Sequence, residues 1–119
     1  MTKELYLDYD DVSVETIEGD IELFRAICPF LKYQIYNSRP DILDLDKPDK
    51  GHYHVKIYNI DIPMHIVLSL MQRTQCDPAY IALVKHKLEF FIRNSSRYEK
   101  IRGTIEPYFT PPPVLIKEG

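Results

Sequence analysis

The stretch HYHVKIYNI, residues 52–60, alternates between two kinds of side chain and follows the five-residue segment KPDKG, residues 47–51. Pro, Asp and Gly within five residues turn a chain, and alternation at a period of two marks a strand with one buried face. On such a strand His52, His54, Lys56 and Tyr58 share one face, while Tyr53, Val55, Ile57 and Asn59 share the other. The segment before the turn, DILDLD (41–46), alternates in the same way, with Leu43 and Leu45 set against Asp44 and Asp46. The two flanks therefore read as the arms of a β-hairpin. A slip of one residue would bury the aspartates, so the apolar face sets the register. That register places Asp46 opposite His52 and Asp44 opposite His54.

The rest of the chain organises around this hairpin. Residues 4–12 (ELYLDYDDV) alternate and read as a strand. From Asp20, a candidate N-cap, IELFRAICPFL has helical spacing with Pro29 near its stop. Residues 33–36 extend again, and Asn37 to Pro40 form a turn. Pro63 opens a helix with Ile66, Val67, Leu70 and Met71 on one face. Asp77-Pro78 breaks the chain, a helix covers at least part of 79–94, and 97–110 is mixed. The order β, α, β, β, α predicts an α+β fold: a ferredoxin-like or RRM-like antiparallel sheet with helices packed on it. One domain spans residues 1–110, followed by a Pro-rich tail over 111–119. Such a sheet keeps one face for helices and leaves the other for a ligand.

Length and charge narrow the function classes. The chain has 119 residues, enough for one compact domain. No segment approaches the ~20 apolar residues of a membrane span, and the N-terminus lacks the apolar core of a secretory signal. Cys28 and Cys76 are far apart and form no CxxC pair, which points to two reduced thiols. The net charge of −3 argues against sequence-independent coating of duplex DNA. The charges are nevertheless segregated. Asp8, Asp10, Asp11, Glu15, Glu18, Asp20 and Glu22 crowd the first quarter, and Lys85, Lys87, Arg93, Arg97, Lys100 and Arg102 lie near the other end. A basic face in the C-terminal half can meet a polyanion.

Two imidazoles and a carboxylate on one surface of a hairpin can converge on a divalent ion, because opposed residues stand ~4.5–5.5 Å apart. Carboxylate and water beside imidazole shift the preference towards Mn or Mg. An incomplete protein shell leaves room for a phosphate oxygen, as Lewis-acid chemistry on a phosphodiester requires. The remaining histidines, His65 and His86, fall in helix-like segments among apolar neighbours.

His52-Tyr53-His54 has the form His-hydrophobe-His. With a sheet of this order and a tyrosine downstream, it resembles the HUH endonuclease superfamily of rolling-circle-type replication initiators (Rep proteins). Including GHYHVKIYNI and IEPYFTPPP, the chain looks along its full length like the Rep proteins of the rod-shaped viruses of Sulfolobus. The resemblance implies that His52, His54 and a third residue, Asp44 or alternatively Asp46, bind Mn or Mg. It further implies that a tyrosine attacks single-stranded DNA, leaving a 5′-phosphotyrosine link and a free 3′-hydroxyl that can later rejoin the strand. The nucleophile it implies is Tyr108, with Tyr98 as the alternative; neither carries the YxxK pattern common among Rep proteins. Lys56, Tyr58, Arg97 and Lys100 are candidate DNA contacts. One reactive tyrosine per chain implies a homodimer for repeated transfer, and viral relatives imply action in the host cytoplasm. A non-catalytic module that binds single-stranded nucleic acid is the other reading, with Tyr58 beside the histidines as a stacking surface.

Overall fold

A computed structural model describes residues 1–40, 51–90, 97–100, 107–110 and 112–119, with 97–100 and 107–110 described as backbone. The chain is α+β: helices pack on one face of a four-stranded antiparallel sheet, an arrangement compatible with the ferredoxin-like plan. In chain order the elements are β1 (Thr2–Val12), α1 (Val14–Arg25), β2 (Lys32–Asn37), β3 (Gly51–Ile62), α2 (Met64–Met71), α3 (Pro78–Lys87), β4 (Arg97–Lys100), β5 (Pro107–Thr110) and β6 (Val114–Glu118). The main sheet runs β1-β3-β2-β6, and β4 and β5 form a separate two-stranded ribbon.

The histidine-bearing segment is thus the long central strand. Its apolar face, Val55 and Ile57, joins Leu5, Leu7 and Tyr9 of β1 and Ile35 of β2 in the core. Ile17, Ile21 and Phe24 of α1 cover this face together with Val67 and Met71 of α2 and Val84 of α3. Full burial of one such side chain contributes about 1.5–3 kcal/mol, so Leu5, Leu7, Tyr9, Val55 and Ile57 hold the orientation of the whole sheet.

Three expectations need correction. First, α1 begins at Val14, not after Asp20: the Ser13 side chain accepts the Thr16 backbone N–H and caps the helix. Ile17, Ile21 and Phe24 continue its buried stripe back into the acidic region. Asp20 sits inside the helix, where its carboxylate accepts the Tyr9 hydroxyl at 3.0 Å and the Gln75 N–H at 2.8 Å. Second, residues read as a tail contain β6, the fourth strand of the main sheet, paired with β2 from Gln34↔Glu118 to Asn37↔Val114. Third, the hairpin register is not the one the sheet makes. β3 pairs with β1 on one side and β2 on the other, so His54 has Asp8 and Tyr36 as its cross-strand neighbours, not Asp44. Alternation in DILDLD cannot distinguish a sequence neighbour from a distant strand with the same pattern, and β1 has that pattern too. Asp44 and Asp46 themselves lie outside the described residues.

Other expectations match the observed elements. Pro63 precedes α2, Asp77 caps α3 through the Ala79 N–H, and Pro78 opens that helix. Among the described residues no helix is long and apolar enough to cross a membrane.

Candidate functional site

The face of the sheet opposite the helices is arranged in cross-strand rows. One row is Asp8–His54–Tyr36, the next Tyr6–Lys56–Gln34, and the third Glu4–Tyr58–Lys32. His52, His54, Lys56 and Tyr58 lie together on this face of β3, as the alternation predicts.

Each imidazole meets an acid from β1. His54 Nε2 stands 3.3 Å from Asp8 Oδ1, and His52 Nδ1 stands 2.7 Å from Asp10 Oδ1. The second pair lies where the ladder becomes irregular. Between the pairings Tyr9↔Tyr53 and Val12↔Gly51, β1 carries one residue more than β3, and Asp11 takes the left-handed conformation at φ 58°. Such a bulge bends the strand, and it begins just where the register of Asp8↔His54 and Tyr9↔Tyr53, continued by one residue, sets Asp10 opposite His52. The Ser38 N–H donates to the His52 carbonyl at 2.9 Å and anchors β3 on its other side at the same level.

The two pairs differ in solvent access. The His54 and Asp8 side chains are 12% and 28% exposed, whereas those of His52 and Asp10 are 36% and 57% exposed. The inner pair is therefore less screened and the outer pair is open to a ligand. When His52 is neutral, a carboxylate at Nδ1 selects the tautomer with its proton there, which leaves the lone pair on Nε2. A carboxylate placed this way fixes the ring so that Nε2 faces outwards as an acceptor.

The outer edge of β1 is held by the α2–α3 connection. The Asp77 N–H donates to the Asp8 carbonyl at 2.7 Å, and the Asp8 N–H donates to Cys76 Sγ at 3.4 Å. Burial pushes the Cys76 thiol up to about 12, so it remains neutral beside the acids. On the open face, Lys56 Nζ lies 3.6 Å from Glu4 Oε2 and 5.4 Å from the centre of the Tyr58 ring. Burial, then the Glu4 carboxylate, raises the Tyr6 phenol above its ordinary value. Burial raises Tyr9 further, with Asp20 adding to it, so neither hydroxyl is disposed to ionise.

Imidazole nitrogen and carboxylate oxygen are donors that suit Mn or Mg. Among the described residues, however, no group of three or more His, Cys, Asp or Glu side chains is placed to hold a metal ion. The donors come as two imidazole–carboxylate pairs, and a complete shell needs donors beyond either pair. Tyr98 and Tyr108 belong to the β4–β5 ribbon, where the register pairs Tyr98 with Phe109 and Glu99 with Tyr108. Arg97 and Lys100 lie in the same ribbon, opposite Thr110 and Pro107.

Asp8, Asp10, Tyr6 and Tyr36 are the site residues that sequence reasoning missed. The signal for the acids was present, since Leu5, Leu7 and Tyr9 alternate with Tyr6, Asp8 and Asp10 in β1. The choice of β1 over DILDLD as the partner strand was not local information. Comparison with known proteins finds no matching family model, no matching curated protein and no matching solved structure.

Proposed function

We propose that the protein is a replication initiator that nicks and joins single-stranded DNA through a covalent tyrosine intermediate. The observation that carries this reading is the placement of His52 and His54 side by side on the open face of the central strand, each against a carboxylate of β1. His52 and His54 would hold a Mn or Mg ion, with Asp44, or alternatively Asp46, as the third ligand. A bound ion supplies Lewis-acid polarisation of the scissile phosphate. Asp8 and Asp10 orient the imidazoles.

The Tyr108 phenol attacks the phosphorus; Tyr98 is the alternative nucleophile. A Tyr–O–P bond forms at the 5′ side, the P–O3′ bond breaks, and the departing oxygen takes up a proton to become a 3′-hydroxyl. The reverse attack by a 3′-hydroxyl releases the tyrosine and rejoins the strand, so no nucleotide cofactor is consumed. A phenol with an ordinary pKa near 10 requires an activated electrophile for this step. Lys56, Tyr58, Arg97 and Lys100 contact the DNA. With one reactive tyrosine per chain, successive transfers use two subunits of a homodimer, acting on viral DNA in the host cytoplasm.

The test is incubation of the chain with end-labelled single-stranded DNA and Mn, followed by a denaturing gel. The expected result is a labelled protein–DNA adduct that EDTA abolishes and that Tyr108→Phe lacks. An adduct retained by Tyr108→Phe and lost by Tyr98→Phe moves the nucleophile to Tyr98. The half-exposed Tyr58 ring beside Lys56 also favours a module that binds single-stranded nucleic acid without cutting it. That reading predicts binding indifferent to EDTA and no adduct with any tyrosine.

A further inference from the structure

β1 is an outer strand of the main sheet, so one row of its backbone groups has no strand to pair with. At Asp8 the turn between α2 and α3 fills that gap. The Asp8 N–H donates to Cys76 Sγ at 3.4 Å, and the Asp8 carbonyl accepts the Asp77 N–H at 2.7 Å. Both backbone groups of Asp8 thus point away from β3, so Asp8↔His54 is a cross-strand pair with no backbone hydrogen bonds between its two members. Such pairs bring their Cα atoms to about 4.5 Å instead of about 5.5 Å, with the side chains closer. This spacing favours the contact between the Asp8 carboxylate and His54 Nε2.

The turn is itself fixed from behind. The Cys76 N–H donates to Thr74 Oγ1 at 3.2 Å, and the Thr74 hydroxyl donates to the Met71 carbonyl at 2.6 Å, at the end of α2. The Asp77 carboxylate accepts the Ala79 N–H at the start of α3. Thr74 and Cys76 are both buried, so water does not readily replace either group. A chain of three hydrogen bonds therefore runs from the last turn of α2, through the Thr74 hydroxyl and the Cys76 thiol, to the backbone of the acid that meets His54. The turn grips Asp8 and not Tyr6, two residues back, whose backbone faces the same side of the strand.

We propose that Thr74 and Cys76 are positioning residues for the metal-binding imidazole of His54: through the Asp8 backbone they set the carboxylate that holds the ring. This rests on the function proposed above, which puts the ion on His52 and His54. The thiol is a weak acceptor, and its part is to keep one backbone N–H, and with it one side chain, in a single place.

The test takes two measurements on the full chain without DNA: Mn affinity from the electron paramagnetic resonance signal of free Mn, and amide hydrogen exchange by NMR in the absence of Mn. Cys76→Ala should weaken Mn binding about fivefold, less than the 10–100-fold typical of losing an orienting partner outright. In the same variant the Asp8 amide, protected in wild type, should exchange as fast as that of Tyr6. Thr74→Val keeps the shape but removes the hydroxyl behind Cys76; it should move both measurements the same way, and it decides the matter if Cys76→Ala does not fold. Cys76→Ser keeps an acceptor and should stay within about twofold of wild type. Val84→Ala thins the core under α3 away from the turn; it should lower the urea midpoint and leave Mn affinity unchanged. Added to Asp8→Asn, Cys76→Ala should cost no further Mn affinity, because it acts through Asp8. The proposal is overturned if Cys76→Ala keeps wild-type Mn affinity, if Val84→Ala weakens Mn binding as much, if the losses from Asp8→Asn and Cys76→Ala simply add, or if the wild-type Asp8 amide exchanges as fast as that of Tyr6. Should the variants behave as expected while wild type forms no DNA adduct, the nicking function falls and the positioning role stands. Should wild type form the adduct while Cys76→Ala and Thr74→Val bind Mn normally, the positioning role falls alone. Should wild type bind no Mn, both fall.

Discussion

Asp10 meets His52 at the start of a bulge, with 2.7 Å between Oδ1 and Nδ1, and Asp8 faces His54 two residues away in the same register at 3.3 Å. One strand thereby supplies both acids that hold the two imidazoles. Replacing either acid with Asn keeps the shape but removes the charge that fixes the ring. Loss of an orienting partner typically costs 10–100-fold in metal affinity. For Asp8→Asn and Asp10→Asn, the Mn concentration giving half-maximal adduct formation should rise by about that factor, with Asp8→Asn the more severe because its pair is less exposed. A Mn titration of the adduct reaction checks this. Unchanged midpoints would show that the imidazoles are held by other groups.

Much of this site was legible in sequence because strand alternation is a local property. His52, His54, Lys56 and Tyr58 share a face for the same reason that Val55 and Ile57 are buried. The partner strand was not legible. DILDLD and ELYLDYDD offer acids with the same alternation, and proximity in sequence favoured the first. The sheet instead inserts β3 between β1 and β2, a pairing decided by how Leu5, Leu7, Ile35 and Val55 pack against α1 and α2. The role of β6 was hidden too: residues after a Pro run read as a tail, yet Val114–Glu118 is extended and covers the edge of β2.

Asp20 collects the Tyr9 hydroxyl and the Gln75 N–H on one carboxylate oxygen, joining α1, β1 and the loop that holds Asp8. Hydrogen bonds to a charged group contribute about 1.5–3 kcal/mol each, and leaving a buried donor unsatisfied costs a similar amount. Asp20→Ala should therefore destabilise the fold by about 2–3 kcal/mol in urea unfolding. Tyr9→Phe, which leaves the Gln75 bond intact, should cost about half of that. The two should be clearly non-additive in the double variant, since they share a partner.

The Cys76 thiol is held neutral by burial, with its ionisation moved from 9.0 to about 12. Below about pH 9 both folded and unfolded chains carry the proton, and the thiol adds no pH dependence. Between about 9 and 12 the unfolded chain releases the proton while the folded chain retains it, so stability falls as pH rises. The raised Tyr9 phenol acts in the same direction above its ordinary value of 10.0. The urea midpoint should therefore decline through this window, and less steeply for Cys76→Ala. Native thiol labelling should modify the half-buried Cys28 quickly and Cys76 only after unfolding, because the thiolate is the reactive form.

Removing residues 114–119 should have a larger effect than its surface position suggests. β6 occupies the outer edge of β2, and Gly119 exchanges both backbone bonds with Tyr33, at 2.9 and 3.0 Å. Without β6, β2 becomes an edge with a row of unpaired N–H and C=O groups, a template for pairing with another chain. The truncated chain should unfold at lower urea and associate in a concentration-dependent way, measurable by light scattering. Lys117→Ala provides the contrast. Its ammonium meets Glu18 on α1 at 2.5 Å, but both side chains are exposed and such pairs contribute little. That variant should match wild type in both measurements. Truncation that leaves the urea midpoint and the scattering unchanged would show that the three-stranded β1-β3-β2 sheet needs no cover on β2.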